Sequence, residues 1–555
     1  MKKAIIYLLA VATLFMSTAC ITKPKATPEP DDDYNEDGEE ISVYALSKYT
    51  IVYPERYTEY QMETVYFLRD AIKKLTGIQI PIIADSKPYT ENEIILASSK
   101  RVTAIEQQVI SLDNPMEYII AVSEGDIILG GNNYYSDLRA VYDFVYNYMG
   151  YDDINNRIIN STKHIKGFAK YRYTEPLFTI NAVNYEAEPI TNARQVRALS
   201  DAGFNTVTVD ANMYTEKEMN DFTVQCTRFG IYIIMRGVEY VSIYKDCPII
   251  KGHCIVDEPY GEDAYQYYSD LCETYEEAYS GYGWKPYVNY MGQLDVMKEI
   301  ADNPQYFENV ETLAFESAFF GNANISTDNI FREYEVFSHK ALSEEKTLWG
   351  YIQGDSVDST NADRMFRWMA NAALCFGATG IQYFNYASPT EAQADASNSS
   401  RWIADSSNLP SEAYNAAKAT NIMIDDMSEL YYMYNYKGTY TIGEGEIPDY
   451  AVLENPYDGF GDVIEDVLEL SGQTYIVGCF EKKNSVFGYA FMIMNTAVPE
   501  SGEYGSDEGY AVRLKLNAPS ALVSIDSEEY ILEPDENGYY ELVLKNSQAA
   551  LVMIK

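Results

Sequence analysis

KGHCIVDEPYGED, Lys251 to Asp263, passes from strand to loop to helix within thirteen residues. Cys254, Ile255 and Val256 form a short apolar run of the kind that makes a buried strand, and Pro259 with Gly261 ends it. The apolar positions Tyr267, Leu271, Tyr275 and Ala278 then recur at helical spacing behind an acidic start at Asp263. Between the two elements stand adjacent carboxylates, Asp257 and Glu258. Neighbouring side chains on a strand point to opposite faces, so a usable pair requires the chain to leave the sheet here. The same strand-then-helix unit recurs on both sides. From about Leu177 to Pro389 the strand-like runs are FTINAVN, FNTVTVD, IYIIMRG, HCIVDEP, KPYVNYM, VETLAFES, TLWGYIQ and GIQYFNY. Helical patterns separate several of them, at Asn192–Asp201, Lys217–Phe229, Ala264–Tyr279, Thr327–Ala341 and Asp363–Phe376. Alternation of this kind predicts a parallel α/β fold, and eight units predict a (β/α)8 TIM-like barrel.

In such a barrel the active site gathers where the strands end. Those ends hold Asn184 and Glu186, Asp210 and Asn212, Arg236 and Glu239, Asp257 and Glu258, Asn289 and Tyr290, Glu316, Gln353 and Asp355, and Asn385 and Tyr386. A mouth so lined is polar, acidic and aromatic, and suits a neutral or amino sugar. Among the aromatics, Trp349, Tyr351, Tyr383 and Tyr386 are candidates to wall a sugar pocket, because flat rings stack on pyranose C–H faces. Arg236, Asn289, Glu316 and Asp355 are the other candidate substrate-binding residues. His253 precedes the carboxylates on the strand and reads as a packed residue.

Forty-one basic against 84 acidic residues give a net charge of −43, which excludes nucleic acid or anionic lipid as a partner held by bulk electrostatics. Tyrosine is abundant at 52 residues and histidine scarce at 3, and none of the seven cysteines has CxxC spacing, so no metal site, cofactor or disulfide framework is expected.

Residues 1–20, MKKAIIYLLAVATLFMSTAC, pair two lysines with a short apolar core and small residues, a secretory leader. Residues 21–40 are rich in proline and acid and read as a tether. STAC resembles a bacterial lipobox, which implies lipidation of Cys20 and an extracytoplasmic, membrane-anchored lipoprotein held by that lipid alone. Residues 41–170 are expected to form a small α+β domain: a strand at KYTIVYP, a helix at Thr58–Leu75, strands at NEIILAS, YIIAVS and DIILGG, and a helix at Asp137–Met149. With its LRDAIKKLTG, LGGN and YNYMGYDD segments, this stretch resembles the accessory domain that precedes the barrel in family 20 hexosaminidases and bacterial α-glucuronidases. The barrel is expected over 171–435. Short alternating runs over 436–555 (TYIVGCF, GYAFMIMN, AVRLKLN, YILEP, YYELVLK, AALVMIK) predict a C-terminal antiparallel β-sandwich.

His253 to Glu258 has the H-x-x-x-D-E spacing of family 20 β-N-acetylhexosaminidases, and DEP resembles the Asp-Glu of family 123. The resemblance implies a substrate-assisted, retaining glycosidase acting on an oligosaccharide or polysaccharide. Glu258 would be its general acid/base, and Asp257 would orient the acetamido group that serves as nucleophile. The two glycines that usually precede the family 20 pair are absent. Two other schemes fit the residues. One is a glycosidase that pairs Glu258 with a second carboxylate, Glu316 or Asp355, including an α-glucuronidase-like inverting enzyme. The other is a non-catalytic carbohydrate-binding surface lipoprotein.

Overall fold

The computed structural model describes residues 40–102, 109, 112, 114–159, 164–166, 168–185, 187–236, 244, 246–282, 284–316, 330–354, 361–389, 402–443, 452–461, 463–469, 473–483, 488–497 and 509–554. The leader with Cys20, nearly all of the tether, and Glu186, Glu239 and Asp355 lie outside the described residues.

Eight parallel strands close into a barrel, as the alternation predicts: β1 (Thr179–Asn184), β2 (Thr206–Asp210), β3 (Tyr232–Arg236), β4 (Ile250–Asp257), β5 (Lys285–Met291), β6 (Thr312–Glu316), β7 (Thr347–Gln353) and β8 (Gly380–Phe384). Closure is direct, with Thr179 of β1 paired to Gly380 of β8. Around it stand α1 (Ala193–Asp201), α2 (Glu216–Phe229), α3 (Glu262–Tyr279), α4 (Leu294–Asp302), α5 (Ile330–Ser343), α6 (Ala362–Cys375) and α7 (Tyr414–Tyr431). Capping boxes start α1 at Asn192/Gln195 and α2 at Thr215/Glu218, satisfying backbone N–H groups that a helix start otherwise leaves unpaired.

Side-chain parity decides which residues face the interior. Asn181 bonds to Thr208 across β1 and β2, and Gln382 of β8 reaches Asn289 of β5, so these residues point inward. Their neighbours along the strands point outward into the helix layer. Ile234, Cys254, Tyr287, Ala314 and Trp349 form the small apolar cluster inside the barrel, whereas the main core lies between strands and helices.

Preceding the barrel is a six-stranded mixed sheet with helices Met62–Thr76 and Tyr134–Asp143 packed on it. Asn133 caps the second of these helices by accepting from the N–H groups of Tyr135 and Ser136. After the barrel come two antiparallel sheets of six and three strands that share one apolar core, with Tyr475, Val477, Phe491 and Val552 facing Val512, Leu514, Leu542 and Leu544. The larger sheet docks on α6. Gly478 permits the approach, since a Cβ there would lie 2.1 Å from the Cys375 carbonyl oxygen, and Asn371 Nδ2 donates to the Ser547 carbonyl at 2.8 Å. Among the described residues no helix is long and apolar enough to cross a membrane.

Candidate active site

Two local irregularities in β4 bring its carboxylates to the mouth. The first is a bulge: the ladder with β5 runs Cys254↔Tyr287 and then Val256↔Val288, so one extra residue is taken up between them. Strict alternation from the inward Cys254 would aim Asp257 outward. The bulge reverses that and sets Asp257 beside the inward Asn289. The second is the backbone of Glu258, a non-glycine residue with φ +49°. Its N–H still donates to the Asn289 carbonyl at 2.8 Å, continuing the ladder by one step. The left-handed turn then keeps Glu258 from pointing away from its neighbour. Such a conformation costs on the order of 1–2 kcal/mol for a residue with a Cβ, and backbone strain of this kind collects at functional sites.

Asp257 is held from two sides. Tyr185, just beyond β1, donates its hydroxyl to Oδ2, and Asn289 Nδ2 donates to Oδ1 at 2.8 Å. The orientation of Asn289 is fixed in turn, because its Oδ1 accepts from Gln382 Nε2 at 2.6 Å. Its amide also reaches Glu316 Oε2 at 3.4 Å. The Arg236 guanidinium lies over the Tyr185 ring, 4.5 Å from its centroid. Phe384 closes the same side, 5.7 Å from Tyr185 between ring centroids.

Glu316, at the end of β6, lies within hydrogen-bonding reach of Glu258. Burial, then the Glu258 and Asp257 carboxylates, push its carboxyl up from the ordinary 4.5 to about 9, and the Asn289 contact offsets this only in part. Glu316 therefore keeps its proton at neutral pH. The sign for stability follows. The folded state binds a proton at Glu316 that the unfolded chain has lost, so this contribution is fully present below about pH 4.5 and is lost as pH rises toward about 9. Glu316→Gln is therefore expected to unfold at a temperature several degrees above the parent at pH 8.5, with the gap closing at pH 4.5. Thermal scans across that range check this, and a gap independent of pH would contradict it.

The structure thus brings Asp257, Glu258, Asn289, Glu316 and Arg236 to one mouth. Tyr351 lies one step below it, beside Phe384 at 6.3 Å, and is buried. Three of the aromatics singled out from sequence are elsewhere. Tyr383 alternates with the inward Gln382 and Phe384, so it points outward, fully buried, and donates to Asn421 Oδ1 at 2.7 Å. Tyr386 is likewise fully buried, with its ring against Phe204. Trp349 does face inward, but four residues before the end of β7, and it lines a cavity at the opposite end of the barrel. Tyr290 also faces outward, its hydroxyl on the Tyr306 carbonyl. Conversely, sequence reasoning passed over Tyr185, Gln382 and Phe384. Parity counted from a single anchored inward residue on each strand is the signal that finds them.

No family model matches the chain, and no curated protein matches it. Solved structures do. A family 39 glycoside hydrolase from the gut symbiont Bacteroides cellulosilyticus matches with 13% identity and a TM-score of 0.40, covering 72% of this chain and 86% of that one. A GH30 endoxylanase from Clostridium papyrosolvens matches with 9% identity and a TM-score of 0.37, covering 69% and 97%. A Bifidobacterium dentium β-glucuronidase, complexed with coumarin-3-O-glucuronide, matches with 14% identity and a TM-score of 0.32, covering 48% and 51%. The barrel of the present chain rests on its own closed strand order.

Proposed function

We propose that the chain is a glycoside hydrolase that cleaves a terminal N-acetylhexosaminide, with the substrate's acetamido oxygen as the nucleophile. The observation that carries this reading is the Asp257 carboxylate, held at the mouth between the Tyr185 hydroxyl and the Asn289 amide and next in the chain to Glu258. A fixed acceptor adjacent to an acid is what one general acid and an internal acetamido nucleophile require.

The roles follow from the contacts. Glu258 donates a proton to the leaving oxygen as the glycosidic bond breaks and the acetamido oxygen closes on the anomeric carbon. It then takes a proton back from the water that opens the ring so formed. Asp257 accepts the acetamido N–H, which can only donate. Each of its oxygens already accepts one hydrogen bond, from Tyr185 or Asn289, and each carboxylate oxygen has a second lone-pair site left. Positive charge developing on the closing ring strengthens that contact in the transition state. Phe384 and Tyr185 supply ring faces for the pyranose.

The test is a panel of aryl glycosides with a thiazoline inhibitor. Turnover is expected for the N-acetylglucosaminide or N-acetylgalactosaminide and not for the glucoside or xyloside. The thiazoline, which copies the cyclised intermediate, is expected to inhibit competitively at concentrations at least a hundredfold below KM. Equal turnover of glycosides lacking the acetamido group would end this reading. The leader supports placing the enzyme outside the cytoplasm on a lipid carried by Cys20. Cys20→Ala is expected to move the protein from the membrane fraction to the soluble one, and unchanged fractionation would remove the anchor.

A further inference from the structure

The end of the barrel away from the mouth holds a cavity of about 360 Å³, within the range of small-molecule sites. Its cause is legible strand by strand. A barrel of this kind is filled by layers of bulky branched side chains. Here the layer nearest the strand starts has Thr179, Thr206, Gly252, Thr312 and Thr347 on five strands, with Tyr232 and Lys285 the larger members, and the five small residues leave it unfilled. The space left over is closed from within by Trp349 and Tyr287, whose ring centroids lie 5.3 Å apart. The indole lies against β8 because position 380 is glycine, where a Cβ would sit 2.7 Å from Trp349 Cδ1 and Nε1. At the rim, Lys251 pairs with Glu175 at 2.7 Å and Lys285 pairs with Glu311, so donors and acceptors are both present with no excess of charge. Trp349 stands four residues before Gln353 on β7, about 13 Å of strand from the mouth. The two sites are therefore separate.

An aromatic floor, hydroxyl-bearing walls and a rim of paired charges recognise one chemistry in particular. The ring faces suit the C–H face of a pyranose, the threonine hydroxyls both donate and accept, and balanced charge favours neither an anion nor a cation. We propose that this cavity is a second saccharide site, non-catalytic, that takes one or two neutral pyranose units and holds the protein on a glycan while the mouth works. The site stands on its own lining and is independent of the roles given to Asp257 and Glu258.

Trp349 also supplies a readout: of the other three tryptophans Trp284 and Trp368 are buried in the helix layer and Trp402 is half-buried beyond β8, so the part of the fluorescence change that Trp349→Phe removes belongs to this cavity. Titration of the full chain with chitobiose and with cellobiose, followed by tryptophan fluorescence and by calorimetry, is expected to give saturable binding. That binding persists in Glu258→Gln. It weakens at least tenfold in Thr379→Trp, which fills the cavity from its rim, and in Trp349→Phe, which shrinks the floor. Aryl-glycoside turnover by Thr379→Trp stays at the parent level. Absence of saturable binding overturns the site. So does binding lost in Glu258→Gln but kept in Thr379→Trp, which assigns it to the mouth, and so does binding kept in all three variants, which assigns it elsewhere. If Thr379→Trp does not fold, Trp349→Phe decides between the same outcomes. A parent protein that binds saccharide here but cleaves no glycoside keeps the floor site and ends the proposed activity.

Discussion

Glu258→Gln is expected to lower kcat on unactivated oligosaccharides by about 10²–10⁴-fold, the usual contribution of a positioned general acid. Aryl glycosides with strongly acidic leaving groups should lose far less in the first step, because their departure needs little protonation. The leaving-group dependence of kcat/KM should therefore steepen in the variant. The change has a second consequence through Glu316. Its raised pKa owes most to burial and next most to the Glu258 charge. Removing that charge should let Glu316 titrate at lower pH, which a carboxyl-selective infrared or NMR titration would follow. An equal loss on good and poor leaving groups, with Glu316 titrating unchanged, would falsify the assignment of Glu258 as the acid.

The fold was the readable part of this chain. Eight apolar runs separated by helical spacing require little more than period counting, and HCIVDEP announces its strand by an abrupt exit into Asp257 and Glu258. What period counting does not supply is phase. Trp349, Tyr383 and Tyr386 looked equivalent on paper, yet Tyr383 sits one residue out of step with Gln382 and is committed to the helix layer, while Trp349 is in step but too early in its strand. The bulge in β4 was less accessible still. It shows only as a register shift between Cys254 and Val256 against β5, and no glycine or proline at Ile255 marks it in the sequence. The left-handed Glu258 is illegible for a related reason: glycine would have announced the turn, and a glutamate holds it because its N–H is already committed to Asn289. The contact between Glu258 and Glu316 joins residues 58 positions apart whose meeting depends on both irregularities.

Asp257→Asn separates the two catalytic schemes. The substitution preserves shape and removes the charge that a closing acetamido ring would strengthen against. It also turns an acceptor into a donor where Tyr185 and Asn289 both donate, so one of those two loses its partner. Loss of one such preorganised contact costs about 10²–10³-fold in kcat. If the acetamido group is the nucleophile, that loss should fall on good and poor leaving groups alike, because ring closure accompanies departure of either, and KM should change much less than kcat. Azide should not restore the variant, since no enzymic nucleophile has been removed and no vacancy has been created for an external one. The contrary result is equally specific. If azide revives Glu316→Gly and the glycosyl azide has inverted configuration, a protein carboxylate attacks the sugar. The contact between Glu316 and Glu258 must then open on substrate binding, and the chain becomes an ordinary retaining glycosidase in which Glu258 keeps its part as the acid.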